Sequence, residues 1–98
     1  MTIEKLSDAE LASEMAWLPG WTIDAPRRAL YRRLSFSDFA EALSAMVRIG
    51  VAADKVDHHP EWSNVYNRVD IWLTTHDADG ISARDLTLAR TIDAMFPV

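Results

Sequence analysis

Apolar residues recur along the chain with two periods, and together these periods predict a mixed fold. A period near 3.6 residues, typical of amphipathic helices, follows two capping boxes, Ser7–Glu10 and Ser82–Asp85. Ser37 and Asp38 are expected to cap a third helix that runs to about Ala53. The pattern predicts that the inner face of this helix is formed by Phe39, Leu43, Met46, Val47 and Gly50.

An alternating pattern, with apolar residues at every second position, follows the first helix and also follows the helix that Ser37 and Asp38 cap. Leu30 and Leu34 share one face of the first alternating stretch with a polar exception, Arg32. The second stretch spans residues 64–76, and in its second half Val69, Ile71, Leu73 and Thr75 share one face. A tight turn at Asn67 and Arg68 is expected to divide this stretch into a hairpin.

The predicted order of elements is α-β-β-α-β-β-α. Two hairpins separated by helices favour an α+β fold in which a four-stranded antiparallel sheet has three helices packed on one face. The 98 residues form one domain, 1–98, with no linker. A chain of this length buries only about 60–65% of its unfolded surface. We therefore expect the bare face of the sheet to be covered by a second copy, in a homodimer or homotetramer.

Charge and composition exclude several classes of protein. The net charge is −5 and the pI is about 5.0, which argues against a nucleic-acid partner, since such proteins carry a basic surface. There is no cysteine, so neither a disulfide framework nor a thiolate metal site is possible. The first residues lack the layout of a secretory signal, and no apolar run reaches the ~18 residues that span a membrane. We expect a cytoplasmic protein with no membrane partner.

The segment DKVDHHPEWSNVY, residues 54–66, holds the main candidates for chemistry. It contains adjacent imidazoles at His58 and His59, followed by Pro60. The unperturbed pKa of histidine, near 6.5, lets it exchange protons at neutral pH. A turn fixed by proline can aim both rings into one space, and His76 follows the last predicted strand. These imidazoles form a candidate proton-transfer set.

Carboxylates and aromatic rings lie near the histidines in the sequence. Asp54 and Asp57 precede the doublet, Asp85 lies in the first turn of the last helix, and Trp62 and Tyr66 follow the proline. Each also has an ordinary structural interpretation. The doublet can be an exposed turn, Asp85 a helix cap, and the two aromatic residues packing.

A metal site is the sharpest competing interpretation of the same residues. Histidine and aspartate are zinc ligands, but adjacent histidines rarely chelate one ion, and the chain has no helix with two histidines four residues apart. We therefore expect no metal.

The whole segment resembles the signature of the pterin-4a-carbinolamine dehydratase family. The positions of that signature are filled without an insertion, in this order: Asp54, His58, His59, Pro60, Tyr66, His76 and Asp85. Flanking stretches such as GW, HPEW, VYNRVDI and ARDLTLA are also similar, so the resemblance covers nearly the whole chain. One departure is Trp72, at a strand position where a small or β-branched residue is expected.

The resemblance implies a hydro-lyase that converts 4a-hydroxytetrahydropterin to quinonoid dihydropterin. Such an enzyme supports tetrahydrobiopterin recycling after an aromatic amino acid hydroxylase has acted, and it needs neither metal nor redox cofactor. Loss of the C4a hydroxyl is general acid–base chemistry.

The resemblance also assigns roles to individual residues. His59 and His76 are expected to flank the C4a hydroxyl as acid and base, in an order that stays open, and His58 to bind and orient the pterin. Asp85 and Asp54 are expected to support the imidazoles. Trp62 is a candidate wall for the pterin ring, with core packing as the alternative.

A different class of function stays open. Some relatives of this family serve as dimerisation cofactors or regulators of partner proteins, so the chain could be a non-catalytic binding module. A module that had abandoned catalysis would be expected to lose catalytic histidines, whereas this chain retains His58, His59 and His76. This favours the enzyme.

Overall fold

The computed structural model describes residues 3–98 and has the predicted order of elements. The helices are α1 Asp8–Met15, α2 Phe39–Lys55 and α3 Ala83–Met95. The strands are β1 Thr22–Asp24, β2 Ala29–Ser35, β3 Glu61–Val65 and β4 Arg68–Leu73, and a 3₁₀ turn covers His76–Ala78. Within the described range, no helix is both long and apolar enough to cross a membrane.

The four strands form one antiparallel sheet in the order β1-β2-β4-β3. Strand alternation places Leu30, Leu34, Val69 and Ile71 on one face, where all four are buried in the core beneath the helices. The α+β fold with three helices on one face is confirmed. The opposite face, called here the open sheet face, carries Tyr31, Arg33, Asp70 and Trp72.

Arg32 is the polar exception on the core face of β2, and it is buried. Its guanidinium donates to Asp93 at 2.5 Å and to the carbonyl of Phe96 at 2.7 Å. Asp93 also accepts the indole N–H of Trp21 at 2.9 Å. The buried charge is thus paired and hydrogen-bonded, which is the condition for burying an arginine, and the contacts fix the C-terminal end of α3 against the sheet.

The predicted inner face of α2 is wrong. The buried residues of this helix are Ala42, Ala45, Ile49 and Ala53, whereas three of the five predicted positions are exposed. The exposed apolar face, called here the α2 stripe, consists of Phe39, Leu43, Val47 and Val51. The helix is apolar on two faces, and the face that carries the small alanines is the one that packs in the core.

The hairpin turn lies at Tyr66 and Asn67, one residue earlier than predicted. The side-chain amide of Asn64 donates to the carbonyls of Tyr66 and Arg68, at 3.1 Å and 2.8 Å. The amide of Asn67 donates to the carbonyl of Phe36 at 2.8 Å. These side-chain bonds hold the turn at this point, so β3 pairs Val65 with Arg68 and extends back to Glu61.

Candidate active site

The three histidines line one cleft of about 410 Å³. His58 and His59 lie in the loop that joins α2 to β3, and His76 begins the 3₁₀ turn after β4. The antiparallel pairing of β3 with β4 brings these two chain segments to the same end of the sheet. Cavities that hold small ligands are ~300–1,000 Å³, so the cleft has the size of a small-molecule site.

The position of His58 is set by the way α2 ends. Lys55 is the last residue of the helix, and Asp57 then adopts a left-handed backbone with φ of 52°, which aspartate tolerates better than most residues. The backbone N–H of His58 returns to the carbonyl of Ala53 at 3.2 Å. This turn directs the His58 side chain inward, where it is only 10% exposed.

Asp85 holds the buried ring of His58. Its Oδ1 lies 2.6 Å from Nε2 of His58, and its own side chain is completely buried. Its Oδ2 accepts the hydroxyl of Thr75 at 2.8 Å and the backbone N–H of Ser82 at 2.9 Å. The Ser82 hydroxyl lies 2.6 Å from the Thr75 hydroxyl and accepts the N–H of Arg84. The helix cap therefore also orients an imidazole.

The other two imidazoles also meet carboxylates, but at the surface. Nε2 of His76 lies 2.8 Å from Oε2 of Glu61, and Nε2 of His59 lies 3.1 Å from Oδ1 of Asp54. The side chain of His76 is 82% exposed and that of Asp54 is also 82% exposed. Solvent screens such pairs strongly, so these rings are held loosely and can exchange protons with a ligand.

All three rings share one arrangement, in which a carboxylate oxygen faces Nε2. An ionised carboxylate can only accept hydrogen bonds, so each Nε2 carries the proton that it donates. This selects the tautomer in which Nδ1 is the basic nitrogen of the neutral ring. The arrangement suits proton transfer through Nδ1.

The structure does not bring the two aromatic candidates into the cleft. Trp62 faces the core and packs over α2, where a Cβ added at Gly50 would lie 3.6 Å from its ring. Tyr66 lies in the hairpin turn at the far end of β3 and is exposed. Strand alternation explains both positions, because Trp62 is paired with Ile71 on the core face. Trp62 therefore packs against the core, as in the alternative interpretation of this residue.

Six residues in or beneath the cleft were not identified as site residues from the sequence: Glu61, Thr74, Thr75, Asp77, Ser82 and Arg84. The sequence did contain a signal for two of them. Thr75 shares a face with Leu73 in the predicted alternation, and a threonine on a buried face requires a hydrogen-bond partner. Ser82 was recognised only as a cap. Nothing local distinguishes Glu61 from an ordinary exposed strand residue.

Residues 3–98 contain no group of three or more histidine, aspartate or glutamate side chains arranged to hold a metal ion. Each cleft imidazole instead turns its Nε2 to a single carboxylate.

The clearest electrostatic effect outside the cleft is on the open sheet face. Arg33 hydrogen-bonds to Asp70 at 2.7 Å and holds the pKa of that carboxyl below its ordinary value. Burial, together with the hydrogen bond to Asp70, raises the pKa of Tyr31. Trp72 lies beside Tyr31, with ring centroids 5.2 Å apart.

Hydrogen bonds also shift the pKa of two carboxyls at helix starts. The backbone N–H and the hydroxyl of Ser7 lower the pKa of Glu10, and the hydroxyl and backbone N–H of Ser37 lower that of Glu41.

Comparison with known proteins links this chain to one family. The family model described as pterin 4 alpha carbinolamine dehydratase matches residues 4–95. A protein of Rhizorhabdus wittichii, provisionally named pterin-4-alpha-carbinolamine dehydratase, is 52% identical over 97% of this chain and 98% of its own length. A protein of Burkholderia orbicola with the same provisional name is 54% identical over 93% of this chain and 89% of its own.

A solved structure supports the same relationship. The crystal structure of a transcriptional coactivator/pterin dehydratase from Brucella melitensis superposes with a TM-score of 0.89. It is 38% identical to this chain, and the match covers 94% of this chain and 98% of the other.

Proposed function

The chain belongs to the pterin-4-alpha-carbinolamine dehydratase family, and we propose that it removes water from 4a-hydroxytetrahydropterin by histidine acid–base catalysis. The catalytic part of this proposal rests on the geometry of the cleft. Three imidazoles line one cavity, and each has a carboxylate at Nε2. The enzyme is a hydro-lyase, and its product is quinonoid dihydropterin.

The reaction requires two proton transfers and no change of oxidation state. One group delivers a proton to the C4a hydroxyl, which leaves as water. The lone pair of N5 forms the C4a=N5 double bond as the C–O bond breaks, and a second group removes the proton from N5. Positioned acid–base groups accelerate such steps by ~10²–10⁴-fold, and the two imidazoles exposed at the cleft can supply both.

His59 and His76 are the proposed acid and base. Their exposure leaves Nδ1 free to meet a ligand, and Glu61 and Asp54 on the far nitrogen stabilise the protonated ring. His58 is the proposed binding and orienting residue, since it lines the cleft while Asp85 holds its ring. A buried ring that is held on one side has little freedom to reorient, so it is suited to positioning a substrate.

The assay that tests this proposal follows dehydration of chemically generated 4a-hydroxytetrahydropterin by absorbance. Wild-type protein is expected to exceed the buffer rate clearly at micromolar concentration. His59→Ala and His76→Ala are each expected to lower kcat/KM by ~10²–10⁴-fold, with unchanged far-ultraviolet circular dichroism. His58→Ala is expected mainly to raise KM.

Tyr66→Phe is the matched control, because Tyr66 fills a position of the family signature but lies in the distant hairpin turn. It is expected to retain the wild-type rate. No acceleration by wild-type protein would refute the function, and full activity in both alanine variants would refute the assignment of His59 and His76.

We also propose that the protein is a homo-oligomer, either a dimer or a tetramer. The α2 stripe presents Phe39, Leu43, Val47 and Val51 at four-residue spacing on one helix face, each between 46% and 58% exposed. Such a continuous apolar face is typical of a surface that is covered by a partner.

The reaction further implies a link to an aromatic amino acid hydroxylase, which produces the substrate.

Light scattering at assay concentration tests the oligomer. Wild-type protein is expected to have a multiple of the 11.1 kDa chain mass, and Val47→Lys to have a lower mass. Val65→Lys is the control, since Val65 is similarly exposed but lies outside the α2 stripe. A monomeric wild type would contradict the proposal.

A further inference from the structure

Three buried side chains form a hydrogen-bonded set beneath the histidine cleft, called here the hydroxyl joint: Thr75, Ser82 and Asp85. Thr75 follows the end of β4, whereas Ser82 and Asp85 form the capping box of α3. The hydroxyl joint therefore ties the end of a strand to the start of a helix. Each side of this tie serves one imidazole, since His76 follows Thr75 in the chain and Asp85 holds His58.

The hydrogen bonds of the hydroxyl joint run in one direction. The hydroxyl of Thr75 has a single proton, which it donates to Oδ2 of Asp85 at 2.8 Å. The hydroxyl of Ser82, which lies 2.6 Å away, must then donate to the oxygen of Thr75. The oxygen of Ser82 in turn accepts the backbone N–H of Arg84 at 3.2 Å. Because each hydroxyl has a defined donor role, the carboxylate of Asp85 is held in one orientation.

The backbone of Thr75 holds the turn that carries His76. Its N–H donates to the carbonyl of Gly80 at 2.9 Å, and its carbonyl accepts the N–H groups of Ala78 at 3.0 Å and of Gly80 at 3.3 Å. Thr75 and Gly80 thereby close the His76 loop in an isolated β-bridge. One residue thus bonds to the support of His58 through its side chain and to the His76 loop through its main chain.

Two other side-chain contacts of the His76 loop lie at the surface. Asp79 pairs with Arg28 and His76 pairs with Glu61, and the side chains of Asp79 and His76 are 80% and 82% exposed. Exposed ion pairs do little to hold a fixed geometry, because water competes for both partners. The hydroxyl of Thr75 is buried, where its hydrogen bond is stronger than it would be in water. It is therefore the strongest of these three ties.

We propose that Thr75 is a positioning residue that fixes His58 and His76 relative to each other. This role rests on the proposed dehydratase function, in which His58 binds the pterin and His76 transfers a proton. The hydroxyl of Thr75 acts through Asp85 on His58, and the same bond anchors to α3 the loop that carries His76. Thr75 takes no part in the proton transfers. A fixed geometry between a bound substrate and a catalytic group is a main source of rate acceleration.

The kinetic test is Thr75→Val, which keeps the branched shape and removes the hydroxyl. We expect kcat/KM to fall by about 10–100-fold, as for buried polar groups left unsatisfied, with KM raised through His58 and kcat lowered through His76. Thr75→Ser retains a hydroxyl and should restore most of both parameters. Thr91→Val is the matched control, because the hydroxyl of Thr91 donates to the carbonyl of Thr87 within α3, and it should keep wild-type kinetics.

The two kinetic parameters decide between coupling and a simpler role. A change in KM alone or in kcat alone would overturn the proposal, because Thr75 would then act on only one imidazole. Unchanged kinetics would overturn it as well. If Thr75→Val does not fold, Thr75→Cys supplies the measurement, since a thiol is a weak donor, and a smaller loss in both parameters is expected.

Nitrogen-15 chemical shifts of the imidazole rings test the coupling without turnover. In Thr75→Val the signals of His58 and His76 are both expected to move, whereas those of His59, whose partner is Asp54, should stay in place. A shift of one of the two rings alone, or equal shifts of all three rings, would overturn the coupling. A wild type without turnover would refute the dehydratase, and the ring shifts would then decide the coupling on their own.

Discussion

His58 and His76 line the same cleft, and each has a carboxylate oxygen against Nε2, at 2.6 Å and 2.8 Å. Their surroundings differ. Asp85 beside His58 is completely buried, whereas Glu61 beside His76 is 46% exposed. Removing one partner of a buried pair leaves an uncompensated polar group. In an exposed pair, water takes the place of the partner that is removed. One pair therefore builds the cleft, and the other is available for chemistry within it.

The largest expected effect is on stability at the buried pair. Asp85→Ala removes the acceptor for His58, for the Thr75 hydroxyl and for the Ser82 N–H. We expect a loss of about 3–5 kcal/mol in the free energy of unfolding, measured by urea denaturation at pH 7. Asp54→Ala, at the exposed pair with His59, is the control and should change the free energy by no more than about 0.5 kcal/mol.

Equal effects of these two substitutions would break the comparison between buried and exposed pairs. If Asp85→Ala does not fold, Asp85→Asn supplies the measurement, because it preserves shape and loses about 1–3 kcal/mol through poorer hydrogen bonding. Retention of wild-type stability by Asp85→Asn would show that the charge of Asp85 is not what holds His58.

The same contrast explains which parts of the site could be predicted from sequence. His58, His59 and His76 were identified because their types and spacing are unusual, and strand pairing alone suffices to bring the two segments together. Asp85 was recognised from its place in a capping box. Glu61 was missed because its contact with His76 depends on the hairpin register, which side-chain bonds from Asn64 determine.

The fold was predictable where one face of an element is clearly apolar. The alternation at Val69, Ile71 and Leu73 identifies the core face of β4, and all three residues are buried. Helix α2 is apolar on two faces, so its period does not show which one is buried. The larger side chains suggested the wrong face, because burial there depends on how closely the helix approaches the sheet.

The next largest expected effect is on catalysis at the exposed pair. Glu61→Gln retains a hydrogen-bond acceptor for His76 but removes the charge that stabilises its protonated ring. We expect kcat/KM to fall about tenfold, as for loss of a hydrogen bond to a charged group, while the free energy of unfolding changes by no more than about 0.5 kcal/mol. Glu41→Gln, at an exposed glutamate in the first turn of α2, should leave kcat/KM unchanged and alter the free energy of unfolding by no more than about 0.5 kcal/mol.

Nitrogen-15 chemical shifts of the His76 ring provide a direct reading of its tautomer. The wild-type ring is expected to carry its proton on Nε2, and Glu61→Ala is expected to give a mixture of both tautomers. Glu61→Asp should restore part of the activity. An unchanged tautomer in Glu61→Ala, together with unchanged kcat/KM in Glu61→Gln, would show that Glu61 does not position His76.

The smallest expected effect is on stability at an ion pair outside the cleft, which extends the comparison between buried and exposed pairs. Arg33 lowers the pKa of Asp70 below 3.8, its ordinary value. The folded state therefore binds protons less readily than the unfolded state, and the pair stabilises the protein above pH 3.8 and ceases to do so as the pH falls through the folded pKa. Arg33→Ala should thus be slightly less stable than wild type at pH 6, and this difference should vanish in acid. Because Arg33 is half exposed, the difference should be far smaller than that of Asp85→Ala. Urea denaturation at pH 6 and pH 3 measures it, and a difference that grows as the pH falls would contradict the assigned pairing.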